Sequence, residues 1–419
     1  MESGGLVQGL FLVLGISILA GYVGHMLFRR YHVSDILILL GVGLVAGPML
    51  NLADGTLLRE AFVFLGPLGL AVVLFEGGLE LAWDDFRRYA GRAVGLSLLT
   101  WTASALALAL VAYLVMGFSP VIALLFGVAT CATGILVVIP LLKALQAPAE
   151  ARVYLTIETS LGDLLSAVAT TAIAGILVLG SSPMEGVGVL GAKFLLGAAV
   201  GFLAGLLWAR VLTALQGQGH GYALTLAVLL VAYAAAEALG GSGYLMALTF
   251  GLVVGNARPL MRLGGLSKLS NLAPEMRGHQ SEIIFILRSV YFVYLGLVVS
   301  TDVFQPSFVM AGLALVAAIA VARAVAVNVA LTGSGMPGRD PTRILLAGMM
   351  PRGLATALIA AIPAAMGVPG TEAFLTYTFL IIVGTDLATS LSVLAYGRFR
   401  GQRQAPPAQA DPVPAAAEW

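Results

Sequence analysis

Two carboxylates stand inside a long apolar stretch of the chain. Residues 155–171 read LTIETSLGDLLSAVATT and contain Glu158 and Asp163. An ionised side chain at the centre of a bilayer costs about 3 kcal/mol on insertion scales, so an acid in such a stretch indicates a function. A buried carboxylate can bind either a metal cation or a proton, and the two ligands compete for it. The chemistry that this stretch predicts is therefore ion binding.

The acid at position 163 belongs to a stripe of polar side chains. Residues three and four apart share one face of a helix, and five residues follow that spacing: Thr156, Thr159, Asp163, Ser166 and Thr170. Ser160 is also within one turn of Asp163. The hydroxyls could instead bond to carbonyls of the preceding turn and serve helix packing, but packing requires no charge. The charge favours an ion site centred on Asp163.

Glu158 needs a different explanation, because it lies about 140° around the helix from Asp163. A buried glutamate is tolerated when an arginine pairs with it, best through two hydrogen bonds. Arg323 and Arg352 lie inside other apolar segments and are the candidates, and Asp386 is a further acid inside the last segment. We expect a structural Glu–Arg pair and one carboxylate left free for a cation.

The composition identifies a polytopic membrane protein. The chain has 419 residues, of which 59% are hydrophobic and 10% charged, and its mean hydropathy is +0.99. Segments long enough to cross a bilayer as helices recur throughout. They predict thirteen spans: 5–28, 34–53, 61–82, 91–117, 119–143, 151–180, 187–215, 220–240, 242–257, 281–300, 307–332, 342–367 and 371–396.

Charge and cysteine content exclude several function classes. The net charge of +1 gives no sign of a nucleic-acid partner, and one cysteine excludes a disulfide framework or a Cys-rich metal site. The spans leave no room for a soluble domain, so we expect neither an enzymatic module nor a soluble partner. Basic residues concentrate in alternate loops, which predicts a cell-membrane protein with the N-terminus outside and the C-terminus in the cytoplasm. Residues 401–419 are rich in Pro and Ala and predict a disordered tail.

The fifth and twelfth spans both carry helix-breaking residues at membrane depth. The fifth has Thr133 and Gly134, and the twelfth has Pro351, Arg352 and Gly353. Either break alone could be a proline kink or close glycine packing. Broken spans at matching places in two halves, beside a buried carboxylate, are typical of a secondary transporter built from inverted repeats.

The order of these motifs resembles that of the monovalent cation/proton antiporters, closest to the electroneutral, NhaP-like sodium/proton exchangers of prokaryotes. The resemblance covers about residues 5–398. The segments that carry it are LFEGGLEL (74–81), ATGILVVIPLLKAL (132–145), ETSLGD (158–163), ARAVAV (322–327) and PRGLATALIAAIP (351–363). The fold that it implies is all-α, with inverted repeats, two broken crossing helices, a core and a dimerisation scaffold.

The resemblance also implies roles for individual residues. Asp163 would bind the cation and the proton, Thr159 would supply a side-chain oxygen and Thr133 a backbone carbonyl, with Ser160 beside them. Glu158 would pair with Arg352. The supporting residues would be Arg323, Gly134, Gly162 and Asp386.

The implied organisation is one antiporter domain over residues 1–400. Its mobile core would be about residues 91–180 and 307–396, and two protomers would dimerise through the remaining spans. The transported cation would be Na⁺, with K⁺ or Li⁺ as alternatives, and no cofactor is expected.

Two positions depart from the family pattern. Gly162 stands where the family has Asn, and Gly134 stands where it has Asp. One titratable group per site favours one-for-one, electroneutral exchange. The alternative is that Asp386 takes part as a second acid.

Two other functions stay open. They are a sodium-coupled organic-anion symporter of similar architecture and a non-transporting or channel-like relative.

Overall fold

The computed structural model describes residues 2–31, 34–50, 55–80, 83–180, 183–214, 220–257, 273–332 and 341–403. Every regular element in these ranges is helical. The helices are α1 (Glu2–Tyr31), α2 (Asp35–Leu44), α3 (Gly55–Glu80), α4 (Trp83–Leu114), α5 (Pro120–Thr130), α6 (Ile135–Ala144), α7 (Ala149–Leu179), α8 (Pro183–Ala214), α9 (Gly221–Ala238), α10 (Gly243–Gly255), α11 (Ala273–Val298), α12 (Pro306–Ala330), α13 (Pro341–Gly348), α14 (Leu354–Ala365) and α15 (Phe374–Arg403). A π-helical turn, Val45–Met49, extends α2.

An apolar helix lies at each of the thirteen predicted spans. Within the described ranges, seven helices are long and apolar enough to cross a bilayer unaided, and six shorter apolar helices coincide with the remaining predicted spans. The two spans predicted within residues 220–257 are separate helices, because Gly240 adopts a left-handed φ of +81° and Ser242 caps α10 by accepting a hydrogen bond from Leu245 N. The chain is an integral membrane protein.

Two of the thirteen spans are broken, as predicted. The fifth span consists of α5 and α6, and residues 131–134 between them are not helical. The twelfth consists of α13 and α14, separated by residues 349–353. Pro351 contributes to this second break, since proline has no N–H and keeps the preceding residue out of the helical region. We call these two non-helical segments together the crossing.

The broken spans belong to two repeats of the same order. A long helix, a broken span and another long helix follow each other as α4 to α7 and again as α12 to α15. Four spans lie between the two repeats, so α12 comes seven spans after α4 and the two repeats run in opposite directions through the membrane. α4 packs against α12, and α7 packs against α5 and α14. We call α4–α7 and α12–α15 the crossing group.

The other helices form a second layer, the flanking group, which comprises α1–α3 and α8–α11. Within it α10 packs between α3 and α8, and α2 packs between α1 and α11. Leucines such as Leu195 and Leu207 of α8 are exposed on its outer surface, as expected for side chains that contact lipid. α15 continues to Arg403, so residues 401–403 of the predicted disordered tail are helical; residues 404–419 lie outside the described residues.

Candidate ion-binding site

The two segments of the crossing contact each other directly. Gly134 N donates a hydrogen bond to Pro351 O (2.8 Å), and Thr356 Oγ1 donates to Ala132 O (3.1 Å). A Cβ atom on Gly134 would stand 2.7 Å from the Gly353 Cα, closer than atoms can approach. Glycine at position 134 therefore permits the contact, and it lets carbonyls outside the helical ladder meet in the middle of the membrane.

Asp163 lies on α7 beside the crossing. α7 is continuous past this point and ends at Gly180, which has a left-handed φ of +60°. A Cβ atom on Gly162 would stand 3.9 Å from Ala132 of the crossing, and Cys131 Sγ lies 3.4 Å from Ser166 Oγ. The structure thus brings the polar stripe of α7 against the non-helical residues of the fifth span, as the sequence predicts.

Several polar atoms at this place have no hydrogen-bond partner in the described part of the chain. They are Ser160 Oγ, Asp163 Oδ1 and Arg352 Nε, and all three side chains are at least 97% buried. Buried polar atoms are nearly always bonded, so such a group points to a ligand. A carboxylate and hydroxyl oxygens are hard donors of the kind that Na⁺ or K⁺ binds.

The two threonines predicted to join Asp163 are both buried. Thr159 Oγ1 donates to Thr156 O (3.1 Å), which leaves the oxygen lone pairs for a cation. Thr133 lies in the crossing, so its carbonyl belongs to neither helix. Its hydroxyl accepts a hydrogen bond from Arg352 Nη1 (2.9 Å).

The predicted pair of Glu158 with Arg352 is wrong, because Glu158 pairs with Arg323. Arg323 Nη1 lies 2.6 Å from Glu158 Oε1, and Nη2 lies 3.1 Å from Oε2. Arg323 Nε also donates to Leu346 O (2.8 Å). The pair joins α7 to α12 and satisfies the buried glutamate through two hydrogen bonds, so Arg323 fills the role predicted for Arg352.

Arg352 is consequently a buried cation with no carboxylate paired to it among the described residues. It lies in the non-helical part of the twelfth span, where the backbone directs it to Thr133 rather than to Glu158. Its charge acts on Asp163 and on Glu158. Arg352 in the crossing and Asp163 beside it are thus two buried charged residues that are not joined by a direct ion pair.

Asp386 is not brought to the crossing. It lies on α15 and its Oδ2 accepts a hydrogen bond from Ser34 Oγ (2.9 Å), just before α2. The charged groups that act on it are Asp35 of α2 and Arg288 of α11. It belongs to a separate contact between the crossing and flanking groups.

A polar stripe on α4 was missed by the sequence analysis. Ser97, Thr100, Trp101 and Ser104 line a cavity of about 10 Å³ together with residues of the crossing and of α7, room for one water molecule. Trp101 Nε1 donates to Ser166 Oγ (2.9 Å). Ser97, Thr100 and Ser104 are spaced so that they share one face of the helix, which the sequence shows. They were missed because no charged residue accompanies them.

A larger cavity of about 680 Å³ separates the two helix groups near the start of α15. Its walls come from α3, α9, α10 and α11 on one side and from α7, α14 and α15 on the other. It reaches Thr171, about two turns of α7 from Asp163, and its lining includes the exposed acids Glu237, Asp302 and Glu372. We call this side of the molecule the cavity face and the opposite side, where α15 ends, the tail face.

Comparison with known proteins places this chain in a family. The family model for the sodium/hydrogen exchanger, transmembrane, matches residues 14–395. Na(+)/H(+) antiporter 1 of Methanocaldococcus jannaschii is 25% identical over 413 residues, which cover 93% of each chain. The K(+)/H(+) antiporter NhaP of Alkalimonas amylolytica is 26% identical over 381 residues, 89% of this chain and 63% of that protein.

The fold agrees with a solved structure. That of the sodium proton antiporter MjNhaP1 from Methanocaldococcus jannaschii at pH 8 matches with a TM-score of 0.78 and 22% identity, covering 95% of this chain and 98% of that one. The chain therefore belongs to the sodium/hydrogen exchanger family, and it is a membrane transporter rather than an enzyme.

Proposed function

We propose that this protein exchanges a monovalent cation for H⁺, and that Asp163 binds both in turn. The observation that carries the proposal is the difference between the two buried acids of α7. Glu158 is fully occupied by Arg323, whereas Asp163 Oδ1 has no partner among the described residues. Relatives named as Na(+)/H(+) and K(+)/H(+) antiporters support the same function.

The chemistry follows from competition for one carboxylate. Asp163 can hold a dehydrated cation together with the oxygens of Thr159, Ser160 and the Thr133 carbonyl, or it can hold a proton, but not both. If only a loaded site crosses between the two faces, rocking of the crossing group against the flanking group gives obligatory exchange. The crossing group then acts as the mobile core and the flanking group as the scaffold, through which two copies form a homodimer.

A single titrating carboxylate supports one-for-one exchange. Empty Asp163 and Arg352 together carry no net charge, and either Na⁺ or H⁺ raises the sum by one. The two loaded states are then alike in charge, so each cation crossing one way is balanced by one proton crossing the other way. Net charge moves only if a second acid carries a proton across the membrane in each cycle.

The proposed setting is a prokaryotic cell membrane with the N-terminus outside and the C-terminus in the cytoplasm. The basic loops support this orientation. The tail face is then cytoplasmic, and the cavity with its exposed acids opens to the outside, where negative charge attracts cations.

Proton flux in proteoliposomes tests the proposal. A pH dye inside the vesicles should report proton movement on addition of Na⁺, with K⁺ and Li⁺ compared and choline as the control. A potassium-valinomycin potential should leave the Na⁺-driven flux unchanged, although each net charge crossing 100 mV would gain about 2.3 kcal/mol.

Three outcomes would contradict it. Equal proton flux in choline would indicate a channel, and Na⁺ uptake that needs an organic anion would indicate a symporter. Acceleration by the potential, reversed with its sign, would show that a second titrating group carries a proton across the membrane.

A further inference from the structure

A second buried carboxylate lies where the two helix groups meet on the tail-face side of the membrane. Asp386 of α15 is 1% exposed, and Ser34 Oγ is 2.9 Å from its Oδ2. Asp386 Oδ1 and Thr389 Oγ1, one turn further along α15, are buried without a hydrogen-bond partner in the described ranges. We call Ser34, Asp35, Arg288 and Asp386 the seam cluster.

The nearest cation is already committed to another acid. Arg288 Nη2 lies 2.6 Å from Asp35 Oδ2, and both side chains are largely buried. Asp35 also acts on Asp386 as a charge of the same sign. An ionised Asp386 would therefore have one neutral hydrogen bond and a neighbouring negative charge, an arrangement that is costly in a buried site.

Among the described side chains, no other charge on the helices that pack against α15 compensates for this. Arg323 of α12 is paired with Glu158, and Arg343 of α13 donates to Asn328 O. Arg352, before α14, bonds to Thr133. Asp302, in the short turn before α12, lies at the cavity face and adds negative charge.

We propose that Asp386 is a second proton-binding site of the transporter, protonated while the seam cluster is closed and ionised when the seam opens. A neutral carboxyl can keep the contact with Ser34 at no charge cost. Separation of α15 from α2 and α11 would expose the group to water, where it ionises. The proposal rests on the proposed function in one respect: the seam must open and close during exchange.

If so, the rate of exchange depends on the pH at the tail face. A proton is bound in the closed arrangement and released in the open one, so a fall in pH favours closure and slows exchange. Asp386→Asn is neutral at every pH and keeps an oxygen that can accept from Ser34. It should exchange several-fold more slowly than the wild type at alkaline pH and lose this part of the pH dependence.

Infrared titration and transport together test the proposal. In lipid membranes, the wild type should show the carbonyl bands of buried protonated carboxyls that disappear as pH rises. The band missing from Asp386→Asn belongs to Asp386, and the band of Asp163 should remain in that variant. Ser34→Ala keeps the acid but removes its hydrogen bond, so the Asp386 band should move in frequency and titrate at a different pH. Glu282→Gln removes an exposed carboxylate of α11 and is the matched control, with the wild-type band and pH profile.

The outcomes separate this inference from the proposed function. An unchanged carbonyl band and pH profile in Asp386→Asn would overturn the inference while leaving cation/proton exchange intact. If Asp386→Asn does not fold, a band and pH profile in Ser34→Ala identical to the wild type would overturn it equally. Absence of cation-dependent proton flux in the wild type would refute the proposed function, whereas the infrared band would still report whether Asp386 takes up a proton.

Discussion

Two arginines reach the centre of the molecule, and they differ in how their charge is balanced. Arg323 makes three hydrogen bonds, two of them to Glu158. Arg352 donates from its side chain to one neutral hydroxyl. The first is a structural tie between α7 and α12, and the second is a fixed positive charge beside the ion-binding carboxylate.

The ion pair between Glu158 and Arg323 predicts that the stability losses of the two single variants do not add in the double variant. Glu158→Gln or Arg323→Gln alone strands a buried charge and should cost about 3–5 kcal/mol of stability. The double variant should recover part of that loss. Thermal unfolding in detergent measures this, and combining Glu158→Gln with Arg352→Gln is the control, for which we expect additive losses. Additive losses for Glu158 and Arg323 would mean that the pair does not hold α7 to α12.

The sequence supports an arginine partner for Glu158 but does not identify which one. Spacing along α7 gives the face on which Glu158 lies, yet not which neighbouring helix that face meets. Arg323 is on a regular helix, whereas the direction of Arg352 depends on a non-helical backbone that no periodicity describes. Asp163 was easier to recognise, because its polar stripe lies within a single helix.

At the scale of elements, the crossing depends on how closely two backbones approach. Gly134 and Gly353 meet with no room for a side chain on Gly134, and the hydrogen bond from Gly134 to Pro351 fixes the distance. The crossing is therefore a close contact between the two repeats.

Gly134→Ala should weaken this contact. Its Cβ would stand 2.7 Å from the Gly353 Cα, so the backbones must separate, at a cost of about 1–3 kcal/mol for overpacking. Gly162→Ala is the control, since its Cβ would meet Ala132 only at 3.9 Å. We expect a lower melting temperature in detergent for Gly134→Ala and little change for Gly162→Ala. Equal melting temperatures for Gly134→Ala and the wild type would contradict the tight crossing.

Most of the elements could be predicted from the chain, because a membrane span is recorded in a local run of apolar residues. The breaks in the fifth and twelfth spans were also local, marked by Gly134, Pro351 and Gly353. The seam cluster was not, since Ser34 and Asp386 are 352 residues apart and neither lies in a pattern that points to the other. Contacts between the two helix groups depend on how whole helices dock.

At the scale of the whole molecule, the residues that bind the ion and the contacts that open and close lie in different places. Arg352 lies in the crossing and Asp163 lies beside it, while the cavity and the seam cluster lie between the two helix groups toward opposite faces. The open cavity on one face and the closed seam on the other describe a single arrangement of an alternating-access cycle. Exchange requires that this arrangement reverse with Asp163 loaded.

Replacement of Asp163 tests the central claim most directly. Asp163→Asn removes the carboxylate for which the cation and the proton compete and keeps the volume of the side chain. The wild type, Asp163→Asn and the control Glu282→Gln should be reconstituted in the same liposomes, with thermal unfolding to verify that each is folded. The account predicts Na⁺- or K⁺-dependent proton flux in the wild type and Glu282→Gln and none in Asp163→Asn. Flux at the wild-type rate in folded Asp163→Asn would contradict it.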